Sequence, residues 1–164
     1  MFTVFIAIQF FRPDFTNPPV VQSETLENTT LVPENVLAIL NRSCKDCHSN
    51  ETVYPWYSKI QPGAWFLDDH IKEGRKEMNL SVWNTYEARR KKHKLEEICE
   101  QVESKAMPLP SYLWIHRDAA MSDDDIKTLC DWTKLEIVKY ETRWRDEIVG
   151  NQNKSLLFWH IEIY

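Results

Sequence analysis

The chain holds only three glycines, Gly63, Gly74 and Gly150, in 164 residues. Tight hairpin turns draw on glycine for positive φ, so a sheet-rich fold with many such turns is a poor fit. A glycine-rich phosphate loop is excluded. Eight prolines punctuate the chain instead, and helices joined by proline-marked loops are the expected architecture. The length favours one domain, and 43% hydrophobic residues is enough to enclose a core. A formal net charge of −5 argues against nucleic acid as the partner, because phosphate neutralisation needs a basic surface.

The spacing of apolar residues predicts four helices. The first begins at Pro33, a residue suited to the first helical position, and runs through Val36, Leu40 and Cys44. The second follows Pro62-Gly63, with Ala64, Leu67, Ile71, Gly74 and Met78 on one stripe. The third covers about residues 84–105, with Leu95, Ile98, Cys99, Val102 and Ala106 on one face, and Pro108 and Pro110 stop it. Ser122 caps the fourth, and Asp123, Asp124 and Asp125 fill its first turn, where the helix dipole favours negative charge. Its stripe is Ile126, Leu129, Cys130, Thr133, Ile137, Tyr140 and Trp144, and Gly150 is expected to end it. Residues 156–164 show no period and receive no assignment.

Phe2 to Phe11 form a nearly unbroken apolar run. A spanning helix needs roughly 20 apolar residues, so this run alone is too short. Residues 1–13 read as the C-terminal half of a signal anchor, with an apolar helix or strand packed on the domain as the alternative. Residues 14–32, with Pro18, Pro19 and many Thr, Asn and Glu, have the composition of a tether. A folded domain is expected over 33–148 and a tail of unknown role over 149–164.

Cys44-Lys45-Asp46-Cys47-His48 is a C-x-x-C-H box, the attachment signature of c-type haem. Two cysteines three apart at a helix end present both sulfurs on one side of the chain, where they can form thioethers with the vinyl groups on a porphyrin edge. The adjacent His48 is then placed to ligate iron. Two other readings stay open. A dithiol redox site wants a βαβ context, whereas the surroundings here are helical. A zinc site needs further ligands, which Cys99 and Cys130 could supply.

Iron held by one histidine takes a second axial ligand or leaves an open site. Candidates are Met78, Met107, Met121, His70, His93, His116 and His160. Met107 is preferred: it sits in Met107-Pro108-Leu109-Pro110, a proline-stiffened loop able to cross the opposite face of a cofactor. His70, at the flank of the second helix's stripe, is the runner-up. His93 falls opposite the third helix's stripe and reads as solvated. Met78 and Met121 read as packing. Cys99 and Cys130 lie on apolar faces and are expected as buried free thiols, with a disulfide possible in an oxidising compartment. The basic run Arg89-Arg90-Lys91-Lys92 reads as a solvated helix face that could steer an acidic redox partner.

The run from Cys44 to Tyr57 (CKDCHSNETVYPWY), then Ile60-Gln61-Pro62, His70 to Gly74, His93 to Glu97 and Met107-Pro108-Leu109, resembles the bacterial haem-binding domain family of small c-type cytochromes over about residues 31–135. The resemblance implies a cytochrome c-like, all-α domain around one covalently attached haem c, facing the periplasm and anchored to the inner membrane by its N-terminal segment. It implies Cys44 and Cys47 as attachment sites, His48 as proximal ligand and Met107 as distal ligand. Tyr54, Trp56 and Tyr57 would wall the haem, with ordinary packing as the alternative. The expected function is single-electron transfer between redox partner proteins, without bond-making catalysis and so without catalytic residues. The rival expectation is a gas sensor or peroxidase-like protein with an open distal site.

Overall fold

A computed structural model describes residues 2–161, with side chains described as far as Arg143 and at Arg145. The fold is all-α: the described residues form eight helices and four 3₁₀ turns, with no strand. In chain order the helices are α1 (Phe2–Ile8), α2 (Leu26–Thr29), α3 (Glu34–Ser43), α4 (Lys45–His48), α5 (Gly63–Glu77), α6 (Ala88–Glu103), α7 (Pro110–Leu113) and α8 (Asp123–Ile161).

The core lies between α3, α6 and α8, and 3₁₀ turn 80–85 closes its side. Val36, Ile39 and Leu40 of α3 meet Leu95, Ile98 and Val102 of α6 and Leu129 and Trp132 of α8, with Trp83 fully buried among them. Burying one such side chain contributes about 1.5–3 kcal/mol. A disulfide between Cys99 and Cys130 joins α6 to α8 inside this cluster. That corrects the expectation of free thiols: helix packing brings the two Cα atoms to 4.9 Å, within the span a disulfide bridges.

Several boundaries differ from expectation. Pro33 is extended (ψ 149°) and precedes α3 as its cap, while Cys44 lies just past its end. The third helix starts at Ala88 because 80–85 winds as a 3₁₀ turn. Ala106 is exposed beyond the end of α6 and leaves the stripe. Ser122 does cap α8: its Oγ accepts from the Asp125 N–H, and the Ser122 N–H donates to the Asp125 carboxylate. Gly150 does not stop that helix, which continues to Ile161. One interior glycine weakens a helix by about 1 kcal/mol without breaking it. The side chain of Trp144 and the last three residues lie outside what is described.

The stretch 14–32 is not a free tether. Thr25 and Leu26 are buried, Leu26 within the core. Asn17 Nδ2 donates to the Thr52 carbonyl, and Asn50 Nδ2 donates to the Pro19 carbonyl. Polar side chains without period make these contacts, which is why composition suggested a linker. Ahead of it, α1 exposes most of its apolar residues. The segment is held by side-chain hydrogen bonds: Gln9 and Gln61 bond reciprocally, and Gln61 Nε2 and Trp65 Nε1 both donate to the Phe11 carbonyl.

Candidate cofactor site

The box forms where the chain leaves α3. Cys44 caps that helix, and α4 carries Cys47 and His48 on a single turn. Gly74 allows α5 to press against this turn, since a Cβ there would sit 2.7 Å from the Cys47 carbonyl oxygen. Here the requirement is close backbone approach, not an unusual φ. Arg75, the next residue, braces the box from behind. Its Nε donates to the Ser49 carbonyl at 2.7 Å, and one terminal nitrogen donates to Asn17 Oδ1 and Thr52 Oγ1 at 2.7 and 2.9 Å. Asn50, Asn79 and Ser81 extend the network inward, with the Asn50 N–H donating to Ser81 Oγ and Asn79 Nδ2 to Asn50 Oδ1.

His48 Nδ1 lies 3.0 Å from the Met78 carbonyl. A carbonyl only accepts, so Nδ1 carries the hydrogen and Nε2 keeps its lone pair. A backbone acceptor behind a histidine is the arrangement that fixes tautomer and orientation in a metal ligand. Burial lowers the pKa of His48, opposed by the Met78 carbonyl bond, and so the imidazole is neutral near pH 7. Burial also pushes the Cys44 thiol up to about 12 and, with Asp46 adding repulsion, the Cys47 thiol to about 11. A reactive dithiol needs the opposite shift. The zinc reading fails because Cys99 and Cys130, the further ligands it would draw on, are joined to each other in a disulfide.

Two adjoining cavities, of about 170 and 280 Å³, open beside the box. Ser43, His48, Glu77, Met107 and Pro108 line both. Asp46, Cys47, His70, Glu73, Gly74, Leu109 and Tyr112 complete the smaller one, while Cys44, Met78, Lys94, Ile98 and Met121 are among those completing the larger. The hydroxyl of Ser43 is buried with no hydrogen-bond partner in the chain. These features suit an iron porphyrin: a neutral imidazole with a free nitrogen, two protonated thiols, a thioether across the gap and an unmatched hydroxyl on the wall.

Met107 reaches this position through the way α6 ends. Lys105 takes a left-handed conformation (φ 58°), the Ala106 N–H returns to the Gln101 carbonyl and the Lys105 N–H to that of Val102. This is a Schellman motif, with lysine where glycine is usual, and it turns the chain back toward the box. His70 also lines the smaller cavity; its Nδ1 is 2.7 Å from the Phe66 carbonyl, which leaves Nε2 its lone pair as at His48, and its ring packs on Phe66. His93 is exposed beside Glu96 and Glu97, as expected.

The aromatic run does not wall the two cavities, although Tyr57 stands within electrostatic reach of Cys47 and Asp46. Tyr54, Trp56 and Tyr57 line neither cavity. Tyr54 packs on Phe15 and donates to Asn17, Trp56 is 69% exposed, and Tyr57 pairs with His116. The aromatic residue that does line the site is Tyr112, whose hydroxyl donates to Asp46 Oδ2 at 2.9 Å. Burial and the Asp46 charge raise its pKa far above the usual phenol value, so it remains a donor. Sequence reading also missed Ser43, Lys94 and Glu77. Spacing from the box to Tyr112 carries no signal, and nothing in the pattern around Lys94 sets it apart as a site residue.

No curated protein and no solved structure matches the chain. A family model for a haem-binding domain matches residues 3–135, a span that contains the box, both cavities and the loop of Met107. Match and cavity agree on the same group, and the chain belongs to the haem-binding domain family.

Proposed function

We propose that this haem protein is a c-type cytochrome that carries single electrons between partner proteins. In this reading Cys44 and Cys47 hold the group through thioethers, and His48 and Met107 ligate its iron. Bound there, the group supplies a one-electron iron couple whose potential is raised by a sulfur ligand and by burial. The chain's own residues do the rest. The Met78 carbonyl orients His48, Gly74 and Arg75 fix the box, and Met107, Pro108 and Leu109 exclude water from one side. The observation that carries the reading is the neutral, carbonyl-oriented His48 on a cavity shared with Met107.

A periplasmic location attached to the inner membrane is part of the same proposal. It is supported by the disulfide, which persists in oxidising compartments, and by the exposed Phe2, Phe10 and Phe11. No described helix is long and apolar enough to cross a membrane.

Mass spectrometry of the mature protein is expected to show a haem-sized adduct on the peptide carrying Cys44 and Cys47; a bare peptide overturns covalent attachment. Ferric spectra are expected to show the far-red charge-transfer band of sulfur ligation, abolished by Met107→Ala. A high-spin spectrum of the wild type would favour the gas-sensing or peroxidase-like alternative.

A further inference from the structure

The segment 104–121, which carries Met107, is tied to the rest of the chain by few polar contacts. Among the described residues only two of its hydrogen bonds reach beyond the end of α6 and the start of α8. Tyr112 donates to Asp46 Oδ2, and His116 Nε2 pairs with the Tyr57 hydroxyl at 2.9 Å. Tyr112 and His116 are one helical turn apart, and their rings stack at 4.1 Å and 7°. The two bonds therefore act from one rigid unit. Their far ends lie on the box side: Asp46 stands between the two attachment cysteines, and its other oxygen is fixed by the Val53 N–H at 3.0 Å.

We propose that the Tyr112–His116 pair is a latch that holds the Met107 loop closed against the attachment box, with Asp46 as its fixed end. These are positioning residues. They touch neither iron nor substrate, and they act by setting how often the loop opens. The inference rests on Met107 being the iron ligand only where ligand exchange is the readout; loop opening itself can be read separately.

A hydrogen bond to a charged acceptor contributes enough for its loss to shift such an equilibrium by roughly tenfold or more. The experiment compares the wild-type holoprotein with Tyr112→Phe, which keeps the stacked ring and removes only the hydroxyl, with Asp46→Ala, which removes the acceptor, and with the double variant. Imidazole affinity, followed by absorbance, is expected to rise about tenfold in Tyr112→Phe. Tryptic cleavage after the exposed Lys105, followed by mass spectrometry, is expected to accelerate by a similar factor. The double variant is expected to add little to either single one, because both remove the same bond. The urea midpoint serves to separate local opening from global loss of stability. Unchanged cleavage after Lys105 overturns the latch. A parallel Met107→Ala sample keeps the two ideas apart: if its spectrum matches wild type, the ligand assignment fails, and cleavage still judges the latch.

Discussion

The two sides of the cofactor site are built by different means. The box side is braced through Arg75, Asn50, Asn79, Ser81 and Thr52, with bonds reaching from Asn17 to Ser81 in the chain. The opposite side is a loop between a Schellman turn and α7, held by two side-chain hydrogen bonds. A side supported from several directions loses stability when one support goes. A side on two ties loses closure first, with little effect on the folded state as a whole. Rigidity on the histidine side and compliance on the methionine side is what this difference teaches.

Arg75→Ala attacks the braced side hardest. It deletes three hydrogen bonds from a charged donor, and a loss of about 3–5 kcal/mol is expected from the urea unfolding curve, since each is worth about 1.5–3 kcal/mol and neighbours are not additive. Gly74→Ala is next. Its methyl would meet backbone, not a flexible side-chain tip, so overpacking of about 1–3 kcal/mol is offset only in part by a helix-propensity gain of up to about 1 kcal/mol. Its holoprotein yield is expected to fall with stability, and an unchanged melting temperature would show that the box is less tightly held than described.

On the compliant side, Leu109→Ala is expected to cost less than about 1 kcal/mol, because the residue is only half-buried and no closed cavity is left behind. Its signature is faster exchange of the iron ligand at nearly constant stability. A result as severe as that of Arg75→Ala would erase the contrast between the two sides. Asp125, paired with Arg42 of α3 at 3.0 Å, supplies the smallest effect. Its carboxyl is held below the ordinary 3.8, first by the Ser122 N–H. The folded state therefore binds its proton less readily than the unfolded chain. The stability it contributes is present above pH 3.8 and lost as pH falls through the folded value. Asp125→Asn is expected to remove a shallow acid-side decline in thermal stability while leaving both walls of the site unaffected.

Features carried by spacing were legible in the chain. The box announces itself because its chemistry demands adjacent residues, and the stripes of α5, α6 and α8 follow from helical period. The Pro62-Gly63 start of α5 and the Ser122 cap are local signals of the same kind. Partners chosen across long separations were not legible. The carbonyl that orients His48 is backbone and has no residue signature. Tyr112 was one aromatic residue among many until folding set it beside Asp46. Residues 14–32 misled because their polar side chains bind to structure where such chains more often face water. The cysteine pair was misread since apolar faces accept thiol and disulfide alike, and only the approach of α6 to α8 decides between them.

That pair has a mechanical consequence. Cys99 and Cys130 lie on either side of the whole segment that carries Met107, so the compliant wall is the arc of a covalent ring. If a protease nicks that arc once, neither fragment can drift off: the two pieces remain fastened through the disulfide, heavier only by the water added at the cut, until a reductant opens the ring. The wall held by two side-chain hydrogen bonds is also the part that a single cut cannot shed.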